Sequence, residues 1–346
     1  MVPVSSGVRF PDRKTYEPYA VPDSSKGKTM KNSSLLPSLP DLSPKLRQPA
    51  KTIPGGLFAV LLGLLSTGAA NGDSIFVGSY NSETIGEYTT SGATVNASLI
   101  TGLFRPEGIA LSGSDLYVTN FGGANIGEYT TSGAAVNAPL VSGLSGPEGV
   151  AVSGSDLFVT NYSAQTIGEY TTSGAVVNAS LVTGLSRPVG IMVSGSDLFV
   201  TNYDTGIIGE YTTSGATVNA SLITGLSDPS SVVVSGSDLF VAQENGTIGE
   251  YTTSGAVVNA SLVTGLGQLT GIAVDGSDLF VVNSNLGTIG EYTISGATVN
   301  ASLITGISSP QGIVIEASST PEPNSIALLG LGLASLEFLR RKRIKA

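Results

Sequence analysis

The 346-residue chain contains no cysteine, no histidine and no tryptophan. Without cysteine there is no disulfide framework and no thiolate nucleophile. Without histidine there is no Ser-His-Asp triad, and with neither there is no zinc centre of the usual kind. Oxygen atoms alone remain to hold a metal. Charge is also scarce, at 12% of residues, and aromatic side chains make up only 6%. Positive charge is nearly missing from the middle of the chain. Residues 72–316 carry two cations, Arg105 and Arg187, against twenty Asp and Glu. Such an acidic body repels phosphate, which excludes nucleic acid as its partner.

The two ends differ from the middle. Residues 1–71 carry nine Lys and Arg but four acids, and residues 317–346 carry five against two. Residues 57–70 form one apolar run, preceded by Lys45, Arg47 and Lys51 and ending in Gly68, Ala69 and Ala70. This basic, apolar, small-residue order is that of a secretory signal peptide, with cleavage expected near Ala70. The run is shorter than the ~20 apolar residues of a membrane span. Residues 1–50 show no sustained periodicity and many Pro and Ser, which predicts disorder. Residues 1–71 thus read as a disordered leader plus signal peptide.

At the other end, Pro321-Glu322-Pro323 is followed by the apolar segment Ile326–Leu339 and then Arg340-Arg341-Lys342-Arg343. These three parts in this order resemble the PEP-CTERM sorting signal of Gram-negative bacteria. Glu337 interrupts the apolar stretch near its end. The resemblance implies export across the inner membrane and processing by an exosortase-type enzyme. It also implies a membrane anchor through the C-terminal helix until processing, in bacteria that generally make extracellular polysaccharide. The physics agrees, since an apolar segment stops translocation and the basic cluster stays on the cytoplasmic side. Residues 317–346 are read as this sorting segment.

Between the ends lies a six-fold repeat. Ile-Gly-Glu-Tyr recurs with its glutamate at 87, 128, 169, 210, 250 and 291. Ser-Asp-Leu followed by Phe or Tyr and then Val recurs with its aspartate at 115, 156, 197, 238 and 278, and Ser74–Val77 is a degenerate first copy. Units of about 40–45 residues that each hold several strands indicate a propeller. In the copy that begins at Gly190, Gly190–Val193 is a first strand, Asp197–Asn202 a second, Ile207–Thr213 a third and Thr217–Ile223 a fourth. Short β-branched and aromatic runs separated by Gly, Ser and Asn are the hairpin signature. The repeat opens on a second strand and closes on Gly312–Glu316, which matches a first strand. Residues 72–316 are therefore predicted to be an all-β, six-bladed β-propeller with four strands per blade. The C-terminal strand would pair into the first blade and close the ring, removing exposed edges.

The unit resembles NHL-type and virginiamycin-B-lyase-type propeller repeats. The residues that carry this are Arg187-Pro188-Val189-Gly190-Ile191, Asp197–Asn202 and the Ile-Gly-Glu-Tyr-Thr-Thr-Ser-Gly of the third strand and its turn. That lyase uses a catalytic histidine and a divalent metal, and this chain has no histidine. Gluconolactonase-like propellers ligate a metal with an acid in a Pro-Glu-Gly setting, which Pro106-Glu107-Gly108 and Pro147-Glu148-Gly149 match.

Up-and-down strands place the first-to-second and third-to-fourth turns on one face and the remaining loops on the other. The turns are nearly constant between copies and the loops vary, so the loop face is the expected binding face. There the ends of the second strands offer a polar ring of Ser79, Asn120, Asn161, Asn202, Gln243 and Asn283. With Glu107 and Glu148 it would bind a hydroxyl-rich ligand or a hard cation such as Ca2+, and no other cofactor is implied. Near-identical blades suit avidity or structure better than an active site, which breaks symmetry. The reading is an exported, non-catalytic propeller of the cell envelope or extracellular matrix, with polysaccharide or a surface protein as partner. The alternatives are a metal-dependent lyase or hydrolase that uses Glu107 and Glu148, or a purely structural matrix protein.

Overall fold

A computed structural model describes residues 73–317. The leader, the signal-like run and the sorting tail lie outside the described residues. Within them, 24 strands form six four-stranded antiparallel sheets. Blade 4 shows how the sequence makes one. Its strands are Pro188–Ser194, Asp197–Asn202, Ile207–Thr212 and Thr217–Ile223, paired in chain order. Ser194 faces Asp197 across a two-residue turn whose Gly195 has φ of 60°. A glycine first in a two-residue loop suits the twist of the flanking strands. At the next turn the hydroxyl of Thr212 accepts the N–H of Ala216 at 3.0 Å and meets that of Ser214 at 2.8 Å.

The second strand is buried on both faces, which explains its continuous apolar run. Leu198 and Val200 point to blade 3, where they pack with Phe158, Ile167 and Val182. Phe199 points the other way and packs with Val232, Leu239 and Tyr251 of blade 5. Each of the six clusters is shared by two neighbouring blades. Burying each large side chain contributes roughly 1.5–3 kcal/mol.

The first strand of each unit is innermost. The innermost strands of successive blades touch in an unbroken cycle that returns to its start. Pro310–Glu316 supplies the innermost strand of blade 1 and pairs with Ser74–Ser79, so the ring is closed by the C-terminal strand. Hydroxyl clasps tie the cycle together. The hydroxyl of Thr160 donates to the carbonyl of Val189 at 2.7 Å, that of Ser230 to Leu269 at 2.8 Å and that of Thr270 to Pro310 at 3.0 Å. The fourth strand is outermost and mostly exposed.

Candidate functional site

The loop face is built on the ends of the second strands. Asn120, Asn161, Asn202, Gln243 and Asn283 stand there at one level, and all are buried. Four of their side-chain oxygens accept backbone N–H groups from the loop that leads from one blade into the next. The donors are Phe104 to Asn120 at 3.3 Å, Ser145 to Asn161 at 3.4 Å, Ser186 to Asn202 at 3.0 Å and Ser227 to Gln243 at 2.8 Å. In blade 1 the hydroxyl of Ser79 donates to the carbonyl of Ser308 at 2.7 Å. The ring thus fixes the loops, an arrangement that satisfies buried polar groups. Asn283 departs from the pattern, and its Oδ1 is buried without a hydrogen-bond partner.

Glu107 and Glu148 occupy matching positions on the innermost strands of blades 2 and 3, which touch. Glu148 is buried and Glu107 half-buried. Among the described residues no three acidic side chains converge as metal ligands. Two carboxylates supply at most four of the 6–8 oxygens that calcium takes, and backbone carbonyls, the polar ring or water would supply the rest.

The structure brings forward a second set of residues, one position beyond the polar ring. Tyr80, Phe121, Tyr162 and Tyr203 follow the second strands of blades 1–4, and all four are half-buried. Blades 5 and 6 have Glu244 and Ser284 there. The backbone N–H at this position continues the pairing with the fourth-to-first loop. Phe121 donates to the carbonyl of Arg105 at 3.0 Å and Tyr203 to that of Arg187 at 3.2 Å. The two cations of the propeller both lie on this arc. The guanidinium of Arg105 sits 5.4 Å from the Tyr80 ring centroid, and that of Arg187 sits 5.3 Å from Tyr162. Phe121 and Tyr162 meet edge to face at 6.5 Å. Arg187 also pairs with Asp204 at 3.3 Å, both largely exposed.

The backbone is strained on this face. Seven non-glycine residues have positive φ: Glu83, Arg105, Ala124, Gln165, Arg187, Asp228 and Ser309. All seven lie in second-to-third or fourth-to-first loops. Each costs roughly 1–3 kcal/mol, and strain of this kind concentrates where a surface is used. The opposite, turn face carries a cleft of about 600 Å³ between blades 4 and 5, lined among others by Asp197, Glu210, Asn219 and Ser254. Burial, and then the charge of Asp197, pushes the Glu210 carboxyl up from its ordinary value.

The model of the PEP-CTERM protein-sorting motif matches residues 319–343, so the chain carries an exosortase-type sorting signal, the mark of an exported protein. No curated protein matches the chain. Solved structures share the fold. One from a nidogen/laminin complex is 15% identical, with a TM-score of 0.63 over 72% of this chain and 100% of that one. A catalytically inactive virginiamycin B lyase from Staphylococcus aureus, with quinupristin, is 19% identical, with a TM-score of 0.52 over 72% and 94%. A gluconolactonase from Xanthomonas campestris is 14% identical, with a TM-score of 0.52 over 62% and 83%. At these identities the likeness establishes the six-bladed propeller alone, and the chain is an exosortase-sorted β-propeller.

Proposed function

We propose that this protein is a non-catalytic binding propeller of the Gram-negative cell envelope or extracellular matrix, with glycan or a surface protein as its partner. The observation that carries the reading is the polarisation of the molecule. Sequence variation between copies and all seven strained non-glycine residues fall on one face, while the turns of the other face are nearly constant. Variable loops on a rigid scaffold are the common seat of recognition. Export and sorting would place that face among extracellular polysaccharides. The test is a glycan array probed with and without calcium, together with the producer's own polysaccharide. Saturable binding without release of product supports the reading. Binding that needs calcium and disappears in the Glu107→Gln, Glu148→Gln double variant would bring those carboxylates into it. Release of product from the polysaccharide would replace the reading with an enzyme. Binding to no glycan and no surface protein would leave a structural matrix role.

A further inference from the structure

We propose that the aromatic arc Tyr80–Phe121–Tyr162–Tyr203, continued by Glu244 and Gln268, is the binding site for an uncharged glycan chain. The proposal rests on the binding reading above and names its site and ligand class.

Four consecutive blades place an aromatic ring at one structural position on the loop face, where the chain turns out of the second strand. Half-buried rings are stiff apolar platforms that cost little entropy to present. The C–H face of a pyranose offers a matching apolar surface, and its hydroxyls need donors and acceptors beside the ring. The arc supplies these at its end. The hydroxyl of Tyr203 donates to Glu244 Oε2 at 3.0 Å, and Gln268 Nε2 donates to the same oxygen at 2.9 Å. The N–H of Gln268 in turn donates to Asn285 Oδ1 at 3.0 Å. A hydrogen-bonded network of carboxylate and amides thus follows directly on the rings.

Beside this network, across Gly267, lies the one buried side-chain polar atom without a partner among the described residues, Asn283 Oδ1. It points at Gly267. A Cβ there would stand 2.3 Å from it and 2.2 Å from Asn285 Oδ1. The corresponding loops carry Phe104, Ser145, Ser186, Ser227 and Ser308 in place of this glycine. Blade 6 therefore packs these two amides against bare backbone, beside Gln268, where only a glycine fits.

Charge decides between a neutral and an anionic chain. The two arginines are already engaged by rings, and Arg187 by Asp204 as well. Around them stand Glu83, Glu107, Glu148, Asp204, Asp228 and Glu244 on the same face. An anionic polymer meets net repulsion there, whereas an uncharged one meets none.

The full chain lacks tryptophan, so Tyr162→Trp introduces a single reporter that keeps a ring in the arc. Its emission is followed during titration with dextran, a β-1,3-glucan, a galactomannan and, as the anionic arm, alginate. Wild type, Phe121→Ala and Tyr162→Ala are compared by mobility in native gels that contain the same polymers. The expected result is a saturable emission change with at least one neutral polymer, and retardation about fivefold or more weaker in both alanine variants. Unchanged far-ultraviolet circular dichroism and a retained cooperative melting transition would accompany it. Retardation by a neutral polymer that both alanine variants retain, without an emission change, overturns the arc and leaves the binding reading intact. Response to alginate alone overturns the uncharged class. No response of wild type or Tyr162→Trp to any polymer overturns the proposal. The binding reading itself then fails only if the glycan and surface-protein screen above is also empty.

Discussion

In every third strand a glycine stands two residues before a tyrosine, and the pair forms one packing unit. A Cβ on Gly209 would lie 2.7 Å from the hydroxyl and 2.8 Å from Cε2 of Tyr211, so the ring rests on the bare backbone. Tyr211 is buried and packs into the cluster shared with blade 3. Gly209→Ala should displace the ring and cost about 1–3 kcal/mol, as overpacking does. A lower denaturation midpoint together with a changed tyrosine signal in the near ultraviolet would show it, and an unchanged midpoint would refute it. A glycine that recurs inside a strand marks a close approach, but periodicity does not say which side chain makes it. The polar ring was legible to a similar depth. Its positions follow from the strand ends, whereas the use of its oxygens to hold the next loop depends on contacts between Asn202 and Ser186 that no local pattern encodes.

At the scale of the strand pair, acids are placed against acids. Glu210 lies opposite Phe199, and Asp197 is two residues along on the same face, which makes a diagonal pair. Burial raises the carboxyls of Glu128, Glu169, Glu210, Glu250 and Glu291, and the neighbouring aspartate adds to the shift in each. A raised carboxyl holds its proton more tightly folded than unfolded. Its contribution to stability is therefore full below the ordinary glutamate value of 4.5 and is lost as pH rises through the folded value. Five copies act in the same direction. The melting temperature should rise as pH falls from 7 to 5, and the five Glu→Gln changes together should raise it at pH 7 and flatten the profile. A melting temperature that falls steadily over this range in both proteins would contradict the account. The strands themselves were largely legible. The second and fourth strands of blade 4 begin and end where expected, and its third ends one residue early, at Thr212. The first begins at Pro188 rather than Gly190, because a bulge between Pro188 and Ile191 carries the pairing on to Asn202. The aromatic arc was hidden in loops that otherwise differ from copy to copy. Its signal is the recurrence of Tyr80, Phe121, Tyr162 and Tyr203 at the residue after each second strand.

For the ring as a whole, the decisive contact joins residues far apart in the chain. Ser74 pairs with Glu316 and Phe76 with Val314, so blade 1 is assembled from both ends of the repeat. The five other blades are continuous, and neighbouring blades meet through clusters of side chains and hydroxyl-to-carbonyl hydrogen bonds without shared sheets. Among the described residues, blade 1 is thus the one place where strand-to-strand backbone pairing opposes opening of the ring. Two circular permutants of residues 73–317, with these ends joined by a short Gly-Ser linker, separate the clasp from the packing. Opening between Gly195 and Ser196 keeps a blade made from both ends, now blade 4. Opening between Gly225 and Leu226 leaves every blade continuous and removes the clasp. Both retain the same inter-blade clusters, and termini that lie close together favour permutation. The first should stay within about 1–2 kcal/mol of the parent, the ordinary range for a broken surface turn. The second should unfold at lower urea and form dimers at high concentration, because a ring held only by side chains can open and pair with another copy. Urea midpoints and light-scattering masses read both outcomes. Equal midpoints and monomeric masses for the two would mean that closure is carried by the six side-chain wedges, with no special role for the strand contributed by the C-terminal end.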